Sequence, residues 1–441
     1  MKKLVSILLA VMMIAAACAA YATATLTDGE VGGFTAYDSN NAANTAEGSK
    51  TDQDRSVNIL KELVVFNASS SSVYAPLFTY TYTVTPATVS SLTVTDDTTD
   101  HASGSAVTAS IVAGITTGLT VNGGTAGVAT SAVGTLAFTN DTSLNASSAG
   151  ATNTYNITLD FTNVTFPQAG VYRYQIAETL ADSATYDSLG IVDGENTRYL
   201  DVYVDGSGNI YGYVCVESNE SVTTSTAKTN GFVAASGGQD SYYTYDLTLS
   251  KDVVNDSYSE SNTAFPFTVI FNNGTVTGTF KITETAGTGS TGISPTAGTA
   301  TWSGVARVKD GGAITYTGIP CGVDVDVYET NIASGATYTV STSVNGGTAI
   351  TDNNVTSTET APTSAAAQTT RAAYESSKAT VDTTSGTAVT ATQTVAITNT
   401  LSLISPTGIV MRYAPYLLML AAGVALLIIF MVKRRKHTDE D

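Results

Sequence analysis

Residues 242–253 read YYTYDLTLSKDV, and this stretch decides how the chain folds. From Tyr243 onward every second residue is large and apolar, until Lys251 interrupts the series. Successive side chains of a β-strand point to opposite faces, so a period of two predicts a strand with one buried face. The same period predicts that Lys251 points into the core.

The composition of the whole chain also favours strands. Only 13% of its 441 residues are charged, about half the share that is usual in globular proteins. Short alternating stretches separated by polar turns predict an all-β protein with two tandem Ig-like β-sandwich domains, residues 25–239 and 240–403. In the second domain, residues 275–283 are predicted to be a strand. Residues 352–390 are predicted to be a loop with one short helix near residues 370–377.

The same alternation places further polar residues on apolar strand faces. In the second domain these residues are Glu329 and Asn399, whereas Asp326 is predicted to face outward. In the first domain Lys61 and Glu178 occupy equivalent inward positions. Each domain is therefore predicted to bury one lysine and one glutamate.

Two explanations account for an inward lysine, glutamate and asparagine in one domain. The first is a buried ion pair with a hydrogen-bonded amide, because a lone buried charge costs several kcal/mol. The second is chemical. Burial lowers the pKa of a lysine and raises that of a glutamate, which leaves a nucleophilic amine and a proton-carrying acid. Attack on the asparagine then gives a Lys–Asn isopeptide bond with loss of ammonia, and the pattern alone favours neither explanation.

Both ends of the chain have the pattern of processing segments. Residues 1–24 combine a basic start, an apolar run and small residues, which predicts a secretory signal peptide. Residues 413–432 form an apolar span long enough for a transmembrane helix, and the basic tail 433–441 places that end in the cytoplasm. The chain between residues 25 and 407 carries 12 basic and 35 acidic residues, which argues against a nucleic-acid partner.

The sequence predicts neither an enzyme nor a bound metal or other cofactor. It contains two histidines and lacks a metal-ligand cluster, a nucleophile elbow and a phosphate-binding loop. Without the signal peptide only Cys215 and Cys321 remain, so an exported chain of this length has no disulfide framework.

Three longer motifs resemble those of Gram-positive major pilins of the streptococcal type, which are built from CnaB-like pilin isopeptide linkage domains. Residues 161–178 (FTNVTFPQAGVYRYQIAE) resemble the signature that ends in the acid of the first domain. Residues 309–329 (KDGGAITYTGIPCGVDVDVYE) resemble that of the second domain, and residues 395–408 (VAITNTLSLISPTG) resemble the end of the family's sequences. The resemblance covers nearly all of the mature chain.

The resemblance implies an isopeptide bond in each domain. In the second domain it implies that Lys251 is bonded to Asn399, with Glu329 as the proton relay. In the first domain it implies that Lys61 is the lysine and Glu178 the relay.

The acceptor of the first domain follows less directly from the resemblance. The family's acceptor lies 11 residues before the second lysine, a position that is Asp240 here, and an aspartate condenses with loss of water. Asp246 and Asn230 are the alternatives. Glu284 also ends a motif-like stretch, but it is expected to be a surface residue.

The resemblance also implies a sortase signal at residues 404–408 (ISPTG), with cleavage between Thr407 and Gly408. Lys228 is the expected lysine through which the next subunit is linked. The implied function is the shaft subunit of a covalent pilus that is anchored to the cell wall outside the cell. Its partners would be sortase, further copies of the chain, and peptidoglycan or a basal pilin. The alternative is a monomeric wall-anchored adhesin, or a tip or basal pilin, that binds a host surface ligand.

Overall fold

The alternating stretches form strands in the computed structural model of the chain. The structure describes these residues: 26–31, 34–37, 55–69, 72–95, 108–168, 170–181, 184–204, 208–223, 225–254, 264–293, 302–329, 338–355, 379–401, 416 and 418–431. Most of them belong to β-strands, which confirms the all-β fold class.

Sixteen of the described strands precede residue 240. They are β1 (Leu26–Val31), β2 (Phe34–Tyr37), β3 (Ser56–Phe66), β4 (Val73–Tyr74), β5 (Phe78–Pro86), β6 (Thr93–Thr95), β7 (Thr108–Ala113), β8 (Thr120–Val121), β9 (Ala132–Phe138), β10 (Ser143–Leu144), β11 (Ala151–Asp160), β12 (Gly170–Leu180), β13 (Ile191–Val192), β14 (Thr197–Val204), β15 (Ile210–Val216) and β16 (Gly231–Phe232). A four-residue helix, α1 (Tyr186–Leu189), and a 3₁₀ turn (Ala234–Ser236) lie among them.

Ten further described strands complete the fold. They are β17 (Asp240–Val254), β18 (Ala264–Asn273), β19 (Thr283–Ala286), β20 (Trp302–Lys309), β21 (Ala313–Pro320), β22 (Val323–Glu329), β23 (Tyr338–Val344), β24 (Ile350–Val355), β25 (Ala379–Val381) and β26 (Gln393–Leu401).

The two largest of three hydrophobic cores in the described residues lie between facing sheets. The first core is enclosed by β3 and β11 on one side and by the sheet β15-β14-β12-β5-β9 on the other. The second core is enclosed by β26, β17 and β21 on one side and by the sheet β20-β18-β22-β25 on the other. We call these two halves the first and second modules.

Strand β17 connects the two modules without a break. Its first residues, Asp240–Tyr243, pair in parallel with β3 of the first module. Its later residues, Leu247–Val254, pair in parallel with β26 of the second module. One sheet of eleven strands therefore runs through both modules. Strand β17 begins at Asp240 and contributes buried residues to both cores. The predicted domain boundary between residues 239 and 240 therefore remains a prediction.

The prediction of a strand at residues 275–283 is wrong. The described strand in this region is β19, and the preceding backbone bonds to the first module instead of to a neighbouring strand. Thr277 N and Gly278 N donate to Ser188 O over 3.0 and 2.8 Å, and Thr279 O accepts from Leu77 N over 2.9 Å. These hydrogen bonds replace the strand-to-strand hydrogen bonds that a strand at residues 275–283 would make.

Two further differences concern the second module. The predicted loop 352–390 contains the end of β24 and all of β25, while the predicted helix near 370–377 lies outside the described residues. Asp326 was expected to face outward, but it is buried. Asn272 Nδ2 and Thr380 Oγ1 lie against it and donate to its two carboxylate oxygens.

Candidate functional site: two buried lysine clusters

The second module brings Lys251, Glu329 and Asn399 together. Lys251 lies on β17, Glu329 ends β22 and Asn399 lies on β26, so three strands supply one residue each. Lys251 Nζ donates to Glu329 Oε2 over 3.3 Å, and Asn399 Nδ2 donates to Glu329 Oε1 over 2.8 Å. One carboxylate therefore holds both the amine and the amide.

Burial favours the neutral forms of this cluster. It lowers the pKa of Lys251 to about 8, although the charge of Glu329 opposes the shift. It also raises the pKa of Glu329, against the effect of Lys251. A neutral amine beside a protonated carboxyl is a nucleophile next to a proton carrier. Among the described residues, no group hydrogen-bonds to Asn399 Oδ1, so hydrogen bonding alone does not explain a buried amide here.

The first module brings Lys61, Glu178 and Asp240 together in the same way. Lys61 lies on β3, Glu178 on β12 and Asp240 at the start of β17. Lys61 Nζ lies 2.8 Å from Glu178 Oε1 and 3.1 Å from Asp240 Oδ1. Burial also raises the pKa of Glu178, against the effect of Lys61. In both clusters all three side chains are at most 2% exposed.

Three tyrosines complete the first cluster, and sequence reasoning did not single them out. Tyr80 OH donates to Asp240 Oδ2 over 2.5 Å, and Tyr82 OH donates to Glu178 Oε2 over 2.7 Å. Tyr186 OH donates to Glu178 Oε1 over 3.2 Å. Burial and the neighbouring carboxylates raise the pKa of all three hydroxyls, so they remain protonated donors. The inward alternation of β5 is the signal that could have found Tyr80 and Tyr82.

The alternative acceptors lie in other environments. Asp246 accepts hydrogen bonds from Asn67 Nδ2 and Gly318 N, at 2.9 and 3.1 Å. Asn230 is buried, and its backbone carbonyl accepts from Leu60 N. Of the three acceptor candidates, Asp240 is the one that the structure places against Lys61.

Glu284, which ends a similar sequence motif, has a different setting from Glu178 and Glu329. It is half-buried on β19, and its Oε2 accepts from Ile293 N over 2.7 Å. Glu284 was expected to be a surface residue, and the structure shows it partly exposed. Glu284 offers a natural comparison for the two buried glutamates.

Lys228 lies at the edge of a small pocket beside the first module. Its Nζ donates to Thr223 O over 2.9 Å, and Glu217, Asn230, Val233 and Ser236 line the pocket with it. Partial burial lowers the pKa of Lys228 to about 8. Its amine is therefore neutral more often than that of an ordinary lysine.

Sequence reasoning also missed two buried arginines. Arg173 Nε and Nη2 donate to the two carboxylate oxygens of Asp201, at 2.7 and 2.8 Å. Arg198 donates to the backbone oxygens of Gly231 and Ser236, close to the turn that leads into β17. Their charges are paired or bonded, which suits a structural role.

Other predicted features lie wholly or partly outside the described residues. The signal peptide 1–24, the sortase motif 404–408 with Thr407 and Gly408, and the basic tail 433–441 are not described. Of the predicted span 413–432, residues 416 and 418–431 are described, and they are helical. No helix in the described part of the chain has the length and apolar character needed to cross a membrane.

Comparisons with known proteins give one family-model match and several similar solved structures. The family model described as a domain of unknown function, DUF7601, matches residues 245–365. Among solved structures, the chain is similar to a major pilin (T-13) of Streptococcus pyogenes with a TM-score of 0.36 and 17% identity. That alignment covers 79% of this chain and 100% of the pilin. Another major pilin of the same species gives a TM-score of 0.37 at 16% identity, covering 78% and 98% of the two chains.

A bacterial adhesin from Mobiluncus mulieris that contains intramolecular disulfide, isopeptide and ester bond cross-links is also similar. Its TM-score is 0.23 at 14% identity, and the alignment covers 79% of this chain and 99% of the adhesin. No curated protein matches the chain. At these identities the function has to be inferred from the two clusters themselves.

Proposed function

We propose that this chain is the shaft subunit of a sortase-assembled pilus on a Gram-positive cell, and that an intramolecular amide bond closes each module. The observation that carries the proposal is the contact of Lys61 Nζ with both Glu178 and Asp240. In the second module Glu329 contacts both Lys251 Nζ and Asn399 Nδ2, so one carboxylate joins the lysine to the acceptor. Contact at this distance gives an effective concentration on the order of 10⁵ M or more. Glu178 and Glu329 are the proton relays.

Two covalent bonds would suit a protein that bears tension outside the cell. Each bond closes a long loop, and by analogy with a disulfide it stabilises the fold by about 5 kcal/mol. Unlike a disulfide it needs no oxidant, and Cys215 and Cys321 are both free and buried. In this proposal residues 1–24 direct export, residues 413–432 hold the precursor in the membrane, and sortase cleaves between Thr407 and Gly408.

The mass of the purified full chain tests the proposal directly. Condensation of Lys61 with Asp240 removes water, about 18 Da, and condensation of Lys251 with Asn399 removes ammonia, about 17 Da. We expect a mass about 35 Da below that encoded, once the N terminus has been located by sequencing. Peptide mapping should recover both linked pairs. A chain with its full encoded mass would contradict the proposal.

Lys228 is the proposed attachment point for the next subunit. With a pKa of about 8, roughly one fifth of its amine is neutral at pH 7.4, against about 0.1% for an ordinary lysine. A neutral amine can attack the acyl-enzyme that sortase forms at Thr407. The pocket beside Lys228 would receive the end of the neighbouring subunit.

We expect Lys228→Arg to abolish the ladder of SDS-resistant polymers that a pilus sortase forms from the full chain. Arginine keeps the charge but does not deprotonate. Lys309→Arg is the matched control and should leave the ladder intact. The rate of linkage, measured against capture by hydroxylamine, should rise with pH up to about 8 and then level off, because the lowered pKa of Lys228 sets its neutral fraction. A single monomer band in the unmodified chain would favour the adhesin instead.

A further inference from the structure

The two lysine clusters share the placement of their lysine and glutamate, but two strand positions beside them hold tyrosine in the first module and phenylalanine in the second. In the first module Tyr82 of β5 lies directly opposite Glu178 of β12. In the second module Phe267 of β18 lies directly opposite Glu329 of β22. Strands β5 and β18 therefore occupy equivalent places beside the two glutamates.

The residue two positions earlier on each strand lies against the lysine. Lys61 Nζ is 4.8 Å from the centre of the Tyr80 ring, and Lys251 Nζ is 4.6 Å from the centre of the Phe265 ring. The rings are equivalent, but Tyr80 also carries a hydroxyl that donates to Asp240 Oδ2 over 2.5 Å. The hydroxyl is present in the module whose acceptor is an aspartate, whereas the module with an asparagine has a phenylalanine.

The two acceptors place different demands on proton transfer. When a neutral amine attacks Asn399, the departing nitrogen needs one proton to leave as ammonia. When the acceptor is a carboxylate, the departing oxygen needs two protons to leave as water, one more than a neutral amine gives up. The aspartate site therefore requires a donor at the leaving oxygen, and general acid catalysis of this kind typically contributes about 10²–10⁴-fold in rate.

We propose that Tyr80 is a catalytic proton donor in the condensation of Lys61 with Asp240, an inference that rests on the proposed function. Lys61 Nζ bonds to the Asp240 carboxyl carbon, and the bond from that carbon to Oδ2 breaks. In going from ammonium to amide, Nζ loses two protons, with Glu178 as their first acceptor. Oδ2 gains two protons and departs as water, with the Tyr80 hydroxyl as the donor at that oxygen. Gly194 N donates to Oδ1 over 3.0 Å and holds the oxygen that remains in the amide.

The test is to follow both links in full-chain Tyr80→Phe by quantitative peptide mapping, minutes after synthesis and again after a day. We expect the Lys61–Asp240 link to form on the order of 10²-fold more slowly than in the unmodified chain. The Lys251–Asn399 link in the same molecules should form at its normal rate. Tyr174→Phe is the matched control, since it removes another buried hydroxyl, one that donates to Ile115 O away from the cluster.

A second variant separates catalysis from a structural role. In Tyr80→Phe/Asp240→Asn the first cluster has the aromatic residue and acceptor type of the second, and the link should form again, now with loss of ammonia. Failure of this rescue, or normal linking in Tyr80→Phe, would overturn the role of Tyr80 while leaving the proposed function intact. Absence of both links from the unmodified chain would instead overturn the proposed function.

Discussion

Glu329→Ala is expected to leave Lys251 and Asn399 unlinked and to lower the melting temperature of the second module by roughly 10–20 °C. Residues 251 and 399 close a loop of 148 residues, and a cross-link over such a loop contributes about 5 kcal/mol by restricting the unfolded chain. The substitution also removes the carboxylate that holds Lys251 Nζ and Asn399 Nδ2 in the core. Both effects lower the free energy of unfolding.

Calorimetry and intact mass together check this expectation. The Glu329→Ala chain should be about 17 Da heavier than the substitution alone explains, because ammonia is retained. Glu284→Ala is the matched control, since Glu284 also ends a motif-like stretch of sequence but lies half-buried on β19. It should keep the mass deficit and nearly the same melting temperature. A mass change in Glu329→Ala that equals the substitution alone would refute the relay role of Glu329.

The period of two was sufficient to find the lysine and the glutamate of each cluster, and Asn399 of the second. The apolar faces of three strands are interrupted by Lys251, Glu329 and Asn399. A charged or amide side chain on such a face can be recognised without knowing the neighbouring strands. Asp240 was harder, because Gly237 and Gly238 precede it and weaken the strand pattern. Its position followed only from the resemblance, and the structure begins β17 at that residue.

Features that depend on contacts between distant strands could not be predicted from the sequence. Tyr80 lies on an apolar face where a tyrosine is unremarkable, and its role depends on Asp240, 160 residues away. Asp326 was assigned outward by parity, but it is buried between side chains of the two neighbouring strands of its sheet, Asn272 of β18 and Thr380 of β25. Alternation predicts which way a side chain points within its own strand, but not which side chains of neighbouring strands surround it.

The order of the proposed links along the chain determines how load passes through a subunit. Force would enter at Lys228 and leave at Thr407. The covalent path runs from Lys228 through the backbone to Asp240, along β17 to Lys251, and across the link to Asn399. The Lys61–Asp240 link lies outside this path, because Lys228 is itself inside the loop that this link closes. In the proposed pilus the second link would carry tension, while the first would stabilise the module that presents Lys228.

Single-molecule stretching of the full chain distinguishes the two links by length. With handles at Lys228 and the C terminus, Glu329→Ala should gain about 50 nm of extension, since the 148-residue loop is released at about 3.4 Å per residue. Glu178→Ala should gain no comparable length in this geometry.

Moving the first handle to the N terminus brings the other link into the path. Lys61 and Asp240 are 179 residues apart, so Glu178→Ala should now gain about 60 nm. The unmodified chain should show neither gain with either pair of handles, because both loops are closed by covalent bonds. Equal extension of the unmodified chain and Glu329→Ala would mean that tension is borne by noncovalent strand pairing alone. The parallel pairing of β17 with β26 and the hydrogen bonds of Glu329 would then hold Lys251 close to Asn399 without a covalent bond.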